Sequence, residues 1–249
     1  MASGCGGLPA YRAVGLSCAD LLYEERFSSD PSGRWEFRPQ PATDWSYACG
    51  AMSQTNPSVC DHRWGVARNA TSVSSTTDYL VEGGITLGPQ SCVYRGADAW
   101  SVGIASRVAW TPGQSAPTAY VICQAWRNAE LKPAVLLPDV GLTYNGGAGE
   151  TGSWGPENPS TYDASPAKRY YLQVWYSTHG PPDNTRPNAK ALVCRICDDT
   201  SCPRFGWANV EDNPYLLNYI PKTGGTVGIR TYGRAASFDY VRVYKLNNP

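Results

Sequence analysis

The sequence predicts an all-β protein, a two-sheet antiparallel β-sandwich stapled by disulfides. Three observations carry that expectation. About eleven or twelve short segments alternate apolar and polar residues with period two, and none follows the helical period. Turn formers punctuate these segments, with 25 Gly and 20 Pro in 249 residues. Nine Cys accompany nine Trp and sixteen Tyr, the profile of a turn-rich, aromatic-rich protein from an oxidising compartment.

Residues 1–17 lack periodicity and read as a linker, leaving 18–249 as one domain. Single β-sandwich cores commonly reach that size. Leu21–Phe27 is the opening strand, and the turn formers Ser28-Ser29-Asp30-Pro31-Ser32-Gly33 end it. Arg34–Arg38 and Trp45–Gln54 follow as strands, then Thr77–Leu87 with a bulge or bend at Gly83-Gly84. In Trp100–Trp110, alternation assigns Trp100, Val102, Ile104, Val108 and Trp110 to one face. Ser101, Gly103, Ala105, Arg107 and Ala109 fall on the other.

Thr118–Arg127, Glu130–Leu137 and Val140–Tyr144 read as a meander, followed by one long loop over 145–168. Loops of that length are usually functional or mobile. Arg169–Ser177 and Ala189–Cys197 are the next strands, and Val227–Tyr232 and Ser237–Tyr244 close the chain around a turn at Gly233. In the last strand Asp239, Val241 and Val243 share one face, and Tyr240, Arg242 and Tyr244 the other. An unpaired carboxylate on an apolar face is expensive. Asp239 therefore requires a partner, either a bound cation or Arg230 or Arg234.

The cysteine count is odd. Ala2-Ser3-Gly4-Cys5 resembles the tail of a bacterial lipoprotein signal, which makes Cys5 a lipidation candidate; the alternative is an extra thiol. The remaining eight suffice for four disulfides, and loop length favours Cys49–Cys60 and Cys197–Cys202. Cys194, Cys197 and Cys202 with Cys60 and His62 also offer zinc ligands. Disulfides are the better reading in an exported chain. Asn69-Ala70-Thr71 is a glycosylation sequon.

Both ends of the chain carry a further pattern. Phe27, a turn, Trp35 and then Trp45-Ser46, Gly50 and Met52 form the first half; Gly228-Ile229-Arg230 and Phe238-Asp239-Tyr240-Val241-Arg242-Val243 form the second. Together they resemble the concanavalin A-like (laminin-G-like) jelly rolls, in which the first strand lies beside the last. The resemblance spans residues 20–246 in pattern and is specific at the two ends. It implies a calcium ion tying first strands to last, with Asp239 as carboxylate ligand, the Gly50 carbonyl as a second ligand and Glu25 as a further oxygen source. Calcium takes roughly six to eight hard oxygens.

The resemblance also implies a glycan or polysaccharide on the concave sheet, met by aromatic rings and planar polar side chains. Arg107, Gln124, Trp126, Gln173 and Trp175 take inner or rim positions, and Tyr144 and Trp154 border the long loop. Arg107 and Gln124, on adjacent strands, form the leading polar pair.

Other functions find little support. Formal net charge is zero and the pI is about 6.7, which argues against a nucleic-acid binder. No apolar run reaches the roughly 18 residues of a membrane helix. The Glu-x-Asp-x-x-Glu strand of the related glucanases, which sets nucleophile and acid on one face, does not occur, nor does Gly-x-Ser-x-Gly. Asp78 and Glu82 share a strand face, and His62 and His179 are the two histidines a lyase could use. The expectation is a secreted or cell-surface carbohydrate-binding protein, lectin-like, whose ligand binding needs no cofactor chemistry beyond structural calcium. A polysaccharide hydrolase or lyase in the same groove is the first alternative, and a surface adhesion protein binding another protein is the second.

Overall fold

A computed structural model describes residues 20–38, 43–57, 60–68, 73, 79–94, 97–98, 100–110, 113–114, 117–126, 130–137, 141–144, 163–177, 191–197, 204–209 and 225–246. Two antiparallel sheets form the sandwich. The eight-stranded sheet comprises β1 (Leu21–Glu25), β3 (Trp45–Ala48), β4 (Ala51–Gln54), β6 (Tyr79–Gln90), β13 (Arg169–Ser177), β14 (Ala191–Cys197), β15 (Arg204–Asn209) and β17 (Arg234–Lys245). The seven-stranded sheet comprises β2 (Trp35–Arg38), β5 (His62–Ala67), β9 (Ser101–Ala109), β10 (Ala119–Trp126), β11 (Glu130–Leu137), β12 (Gly141–Tyr144) and β16 (Thr226–Tyr232). A short pair, β7 (Val93–Tyr94) with β8 (Ala97–Asp98), stands apart.

The closing strand organises the first sheet. One edge of β17 pairs with β6 along its length, while the other edge is shared by β4 at Ala236–Phe238 and β1 at Val241–Tyr244. First and last strands are therefore neighbours, as the sequence resemblance implies. The aromatic residues that carry that resemblance fill the space between the sheets. Phe27, Trp35, Phe37, Trp45 and Phe238 form a continuous series with centroid spacings of 5.4, 6.4, 5.1 and 6.2 Å. Burying such rings removes large apolar areas from water and supplies much of the driving force for sheet packing.

Trp45–Gln54 is not one strand but a hairpin. Cys49 and Gly50 both take positive φ, 52° and 74°, the two-residue turn whose twist matches that of paired strands. Gly83 and Gly84 make no bend in β6. A Cβ on Gly83 would lie 2.5 Å from Ile104 Cγ2 of the facing sheet, and one on Gly84 would lie 2.8 Å from the Tyr240 ring. These glycines permit close approach on both faces of the strand.

Two bulges overturn the simple alternation. The register of β17 slips between Phe238 and Tyr240, so Asp239 is the extra residue. Phe238, Val241 and Val243 face the core, and Asp239 turns to the Tyr240 side. In β9 the register slips on both neighbours around Arg107, which has φ 54°. Trp100, Val102 and Ile104 belong to the inter-sheet core, but Val108 and Trp110 pack with Ala105 outside it. An extra residue in a strand moves every later side chain to the opposite face.

The disulfides also differ from expectation. Cys60 pairs with Cys92, not Cys49. Cys49 sits exposed at the hairpin tip as a free thiol, because the turn directs it away from the segment holding Cys60. Cys123 of β10 pairs with Cys194 of β14 and so bolts one sheet to the other. Cys197 is disulfide-bonded; Cys202 and Cys5 lie outside the described residues. Disulfides of this kind are assembled in oxidising compartments, and no helix among the described residues is long and apolar enough to cross a membrane.

Candidate functional site

Each sheet has an outer face, and the expected ligand residues divide between them. Arg107 belongs to neither. The bulge turns it inward, where it is buried and its guanidinium lies 5.0 Å over the ring of Tyr79, a core residue. The expected Arg107–Gln124 pair therefore does not form one surface. Gln124 alternates with Cys123 and Ala125 of the core and so faces outward from the seven-stranded sheet. Gln173 and Trp175 alternate with Leu172 and Val174 and face outward from the eight-stranded one. Trp126 is registered opposite Ser101 and Tyr144 opposite Ala134; their side chains, and all of Trp154, lie outside the described residues.

On the eight-stranded sheet the register aligns Arg195, Gln173, Glu82, Arg242 and Glu24 in one row. The buried Glu82 carboxylate accepts bonds from Gln173 Nε2 at 2.7 Å and Tyr240 Oη at 3.0 Å. Arg242 donates to Glu24 at 2.6 Å and covers the Tyr240 ring at 4.5 Å. Arg195 lies over Trp175 at 5.2 Å; burial lowers its guanidinium pKa against the opposing pull of Glu82. Two cations alternate with two carboxylates, so the row is balanced within itself.

Asp239 joins the same face. Its Oδ2 lies 2.9 Å from Arg169 Nη2, not near Arg230 or Arg234. Glu25 accepts from the Phe27 amide at 2.8 Å and from Arg34 Nε at 2.8 Å. Both expected calcium carboxylates are thus committed to arginine. Among the described residues no group of three His, Cys, Asp or Glu side chains could hold a metal. Pairing brings the Glu25 and Asp239 segments together along β17, and each carboxylate there is held by an arginine.

The seven-stranded sheet is different. Its register sets Lys132, Gln124, Gly103, Arg230, Trp64 and Arg38 in one row, with Ser101, Tyr232 and His62 in the next. Arg230 is 1% exposed. It donates from Nη1 to Tyr120 Oη at 3.1 Å and from Nη2 to Ser101 Oγ at 3.4 Å, with Trp64 beneath at 5.7 Å. The Trp64 and Tyr120 rings meet at 4.8 Å. Gln124 is wholly buried, and neither its Oε1 nor its Nε2 has a partner.

The His62 ring packs at a tilt against Tyr232, with centroids 5.0 Å apart. Burial, with the Arg230 charge behind it, lowers its pKa to about 3, so the ring is neutral at physiological pH. Burial likewise raises the Tyr120 hydroxyl. The carboxylate nearest in the adjacent row, Glu36, is already held by Arg38 and the Gly113 amide. This face joins an aromatic floor to a fixed cation and an unbonded amide, groups suited to holding a polar ring-shaped ligand. Sequence reasoning names Gln124 as a ligand candidate and passes over Arg230, Trp64 and Tyr120, since β5 is absent from the expected strands and Arg230 enters only as a partner for Asp239.

No family model and no curated protein matches the sequence. Solved structures do match in shape. The exoplasmic/lumenal domain of VIP36, in a metal-free form, superimposes with a TM-score of 0.54 at 9% identity, covering 94% of this chain and 95% of that one. A winged bean acidic lectin, complexed with methyl-alpha-D-galactose, gives a TM-score of 0.51 at 7% identity over 91% and 98% of the two chains. Together with the sheet order and the pairing of first and last strands, these likenesses establish that the chain has the concanavalin A-like jelly-roll fold.

Proposed function

We propose that this protein binds a glycan, outside the cell or in a lumenal compartment, on the outer face of the seven-stranded sheet around Gln124, Arg230, Trp64 and Tyr120. The observation that carries the reading is the Gln124 side chain, fully buried with both amide atoms unbonded. Leaving such a group unpaired costs on the order of 1–3 kcal/mol, and buried polar groups in native proteins almost always find a partner. Sugar hydroxyls donate and accept together, which is what a planar amide requires. The Trp64 and Tyr120 rings pack beside it, aromatic groups of the kind that meet the C–H surface of a sugar. The winged bean acidic lectin among the fold neighbours, complexed with methyl-alpha-D-galactose, agrees with this reading.

Gln124→Leu tests it. Removing an unsatisfied amide from a buried site leaves stability unchanged or raised, whereas glycan binding measured on an array and by calorimetry falls at least tenfold. Wild-type protein that binds no glycan would sink the proposal. Reducing-sugar and unsaturated-product assays on each bound glycan separate a binder from an enzyme.

A further inference from the structure

We infer that the ligand of this face is an anionic glycan, whose negative group pairs with Arg230; this rests on the glycan-binding reading above. A buried charge is stable in a fold when it is paired. Arg242 follows that rule with Glu24, and Arg195 shares its row with Glu82, whose charge it feels. Arg230 does not. At 1% exposure it has no carboxylate partner among the described residues. Its described donors reach only the neutral hydroxyls of Tyr120 and Ser101, and Nε makes no bond.

The surroundings preserve that excess of positive charge. His62, two strand positions away across the register, is held neutral and adds no second cation. The Tyr120 hydroxyl remains protonated. Gln124 lies one strand beyond Gly103 in the same row, its amide unbonded. A Cβ on Gly103 would stand 2.9 Å from the Gln124 Cβ, so only glycine fits between amide and guanidinium and no side chain separates them. Guanidinium and amide on either side of a position without a side chain suit a planar carboxylate with an adjacent hydroxyl. The half-buried His62–Tyr232 pair marks the edge from which a chain would enter.

Carboxylate and sulfate share the required charge, and calorimetry with three oligosaccharides of one length distinguishes them: oligogalacturonate, its carboxyl-reduced neutral form and a sulfated galactan. The expected result is binding of an acidic form, at least about thirtyfold weaker binding of the reduced form, and loss of that preference in Arg230→Gln; one side of a buried charge pair is worth about 2 kcal/mol or more. Arg230→Lys, which retains charge but not the planar fork, falls between. Sulfate-only binding supports the anion site and identifies the group. Equal binding of acidic and neutral forms overturns the inference while leaving glycan binding intact. Melting with monomeric galacturonate, against chloride of equal ionic strength, reads the site without any oligosaccharide. A rise in wild type but not in Arg230→Gln supports it even if no glycan binds, and no rise together with no acidic preference overturns it.

Discussion

Asp239 Oδ2 and Arg169 Nη2 lie 2.9 Å apart across β17 and β13, spanning the β6 strand between them. The pair exists because the bulge turns Asp239 out of the core. Burial raises the Asp239 pKa, and Arg169 offsets this only in part. The sign follows: a carboxyl whose folded pKa lies above its unfolded value loses stability as pH rises from about 4 through that folded pKa. Asp239→Asn is therefore expected to change stability at pH 7 by less than about 1 kcal/mol. Arg169→Gln, which leaves the carboxylate without its partner, costs more, and the double variant recovers part of the loss. Urea melts of the three variants check this. Chelator is expected to leave the wild-type melting temperature unchanged, and a calcium-dependent rise lost in Asp239→Asn would refute the assignment.

The inter-sheet bond Cys123–Cys194 closes a sequence separation of 71, against 32 for Cys60–Cys92. Constraint on the unfolded chain grows with the logarithm of loop length, giving about 4 kcal/mol for each and slightly more for the longer loop. Cys123→Ala/Cys194→Ala is expected to lower the urea midpoint most. Cys49 is free and exposed. Cys49→Ser is expected to leave the midpoint unchanged while removing one native-state equivalent of thiol-reagent reactivity.

His62 supplies the pH dependence of the seven-stranded sheet. Its folded pKa of about 3 lies far below the usual 6.5. A depressed histidine favours the neutral folded form, so its stability is fully present above the unfolded pKa and is lost as pH falls toward 3. Between pH 6.5 and 4.5 that amounts to roughly 2–3 kcal/mol. His62→Phe, which keeps a ring against Tyr232, is expected to remove this loss. Urea midpoints at both pH values provide the measurement, and parallel slopes in the two proteins would refute it.

The sequence made the ends of the fold legible because the residues that mark them, Phe27, Trp35, Trp45 and Phe238, do the packing themselves. Period-two alternation assigned faces in β9 correctly up to the bulge and wrongly beyond it, whereas in β17 it misplaced only the bulge residue. Asp239 and Arg107 were both misplaced for this reason, and no local feature announces a non-glycine residue at φ 54°. Gln124 was placed on the outer face correctly, since β10 pairs with β11 without a slip and the bulge beside it lies in β9. Its neighbours were not found, because Trp64, Arg230 and Gln124 are far apart in sequence and meet only through sheet order. The disulfides show the same limit: loop length favoured Cys49–Cys60, whereas register brings Cys92 to Cys60.

Gly103 allows the sharpest separation of fold from site. A Cβ there would lie 2.7 Å from the Cys123 carbonyl oxygen, 2.9 Å from Gln124 Cβ and 2.9 Å from Ile122 Cδ1. The first of these is backbone and cannot swing away, so Gly103→Ala displaces β9 from β10 or tilts both. Overpacking of this kind costs about 1–3 kcal/mol. Gly113→Ala serves as a control for backbone strain alone, since Gly113 has φ 92° and no atom within 4 Å of an added Cβ. Both variants should lose stability, but only Gly103→Ala pushes on Gln124 and the strand between it and Arg230. Glycan affinity measured well below each melting temperature is therefore expected to fall at least tenfold in Gly103→Ala and remain at the wild-type value in Gly113→Ala. Equal affinities in the two would place the ligand elsewhere on the sheet.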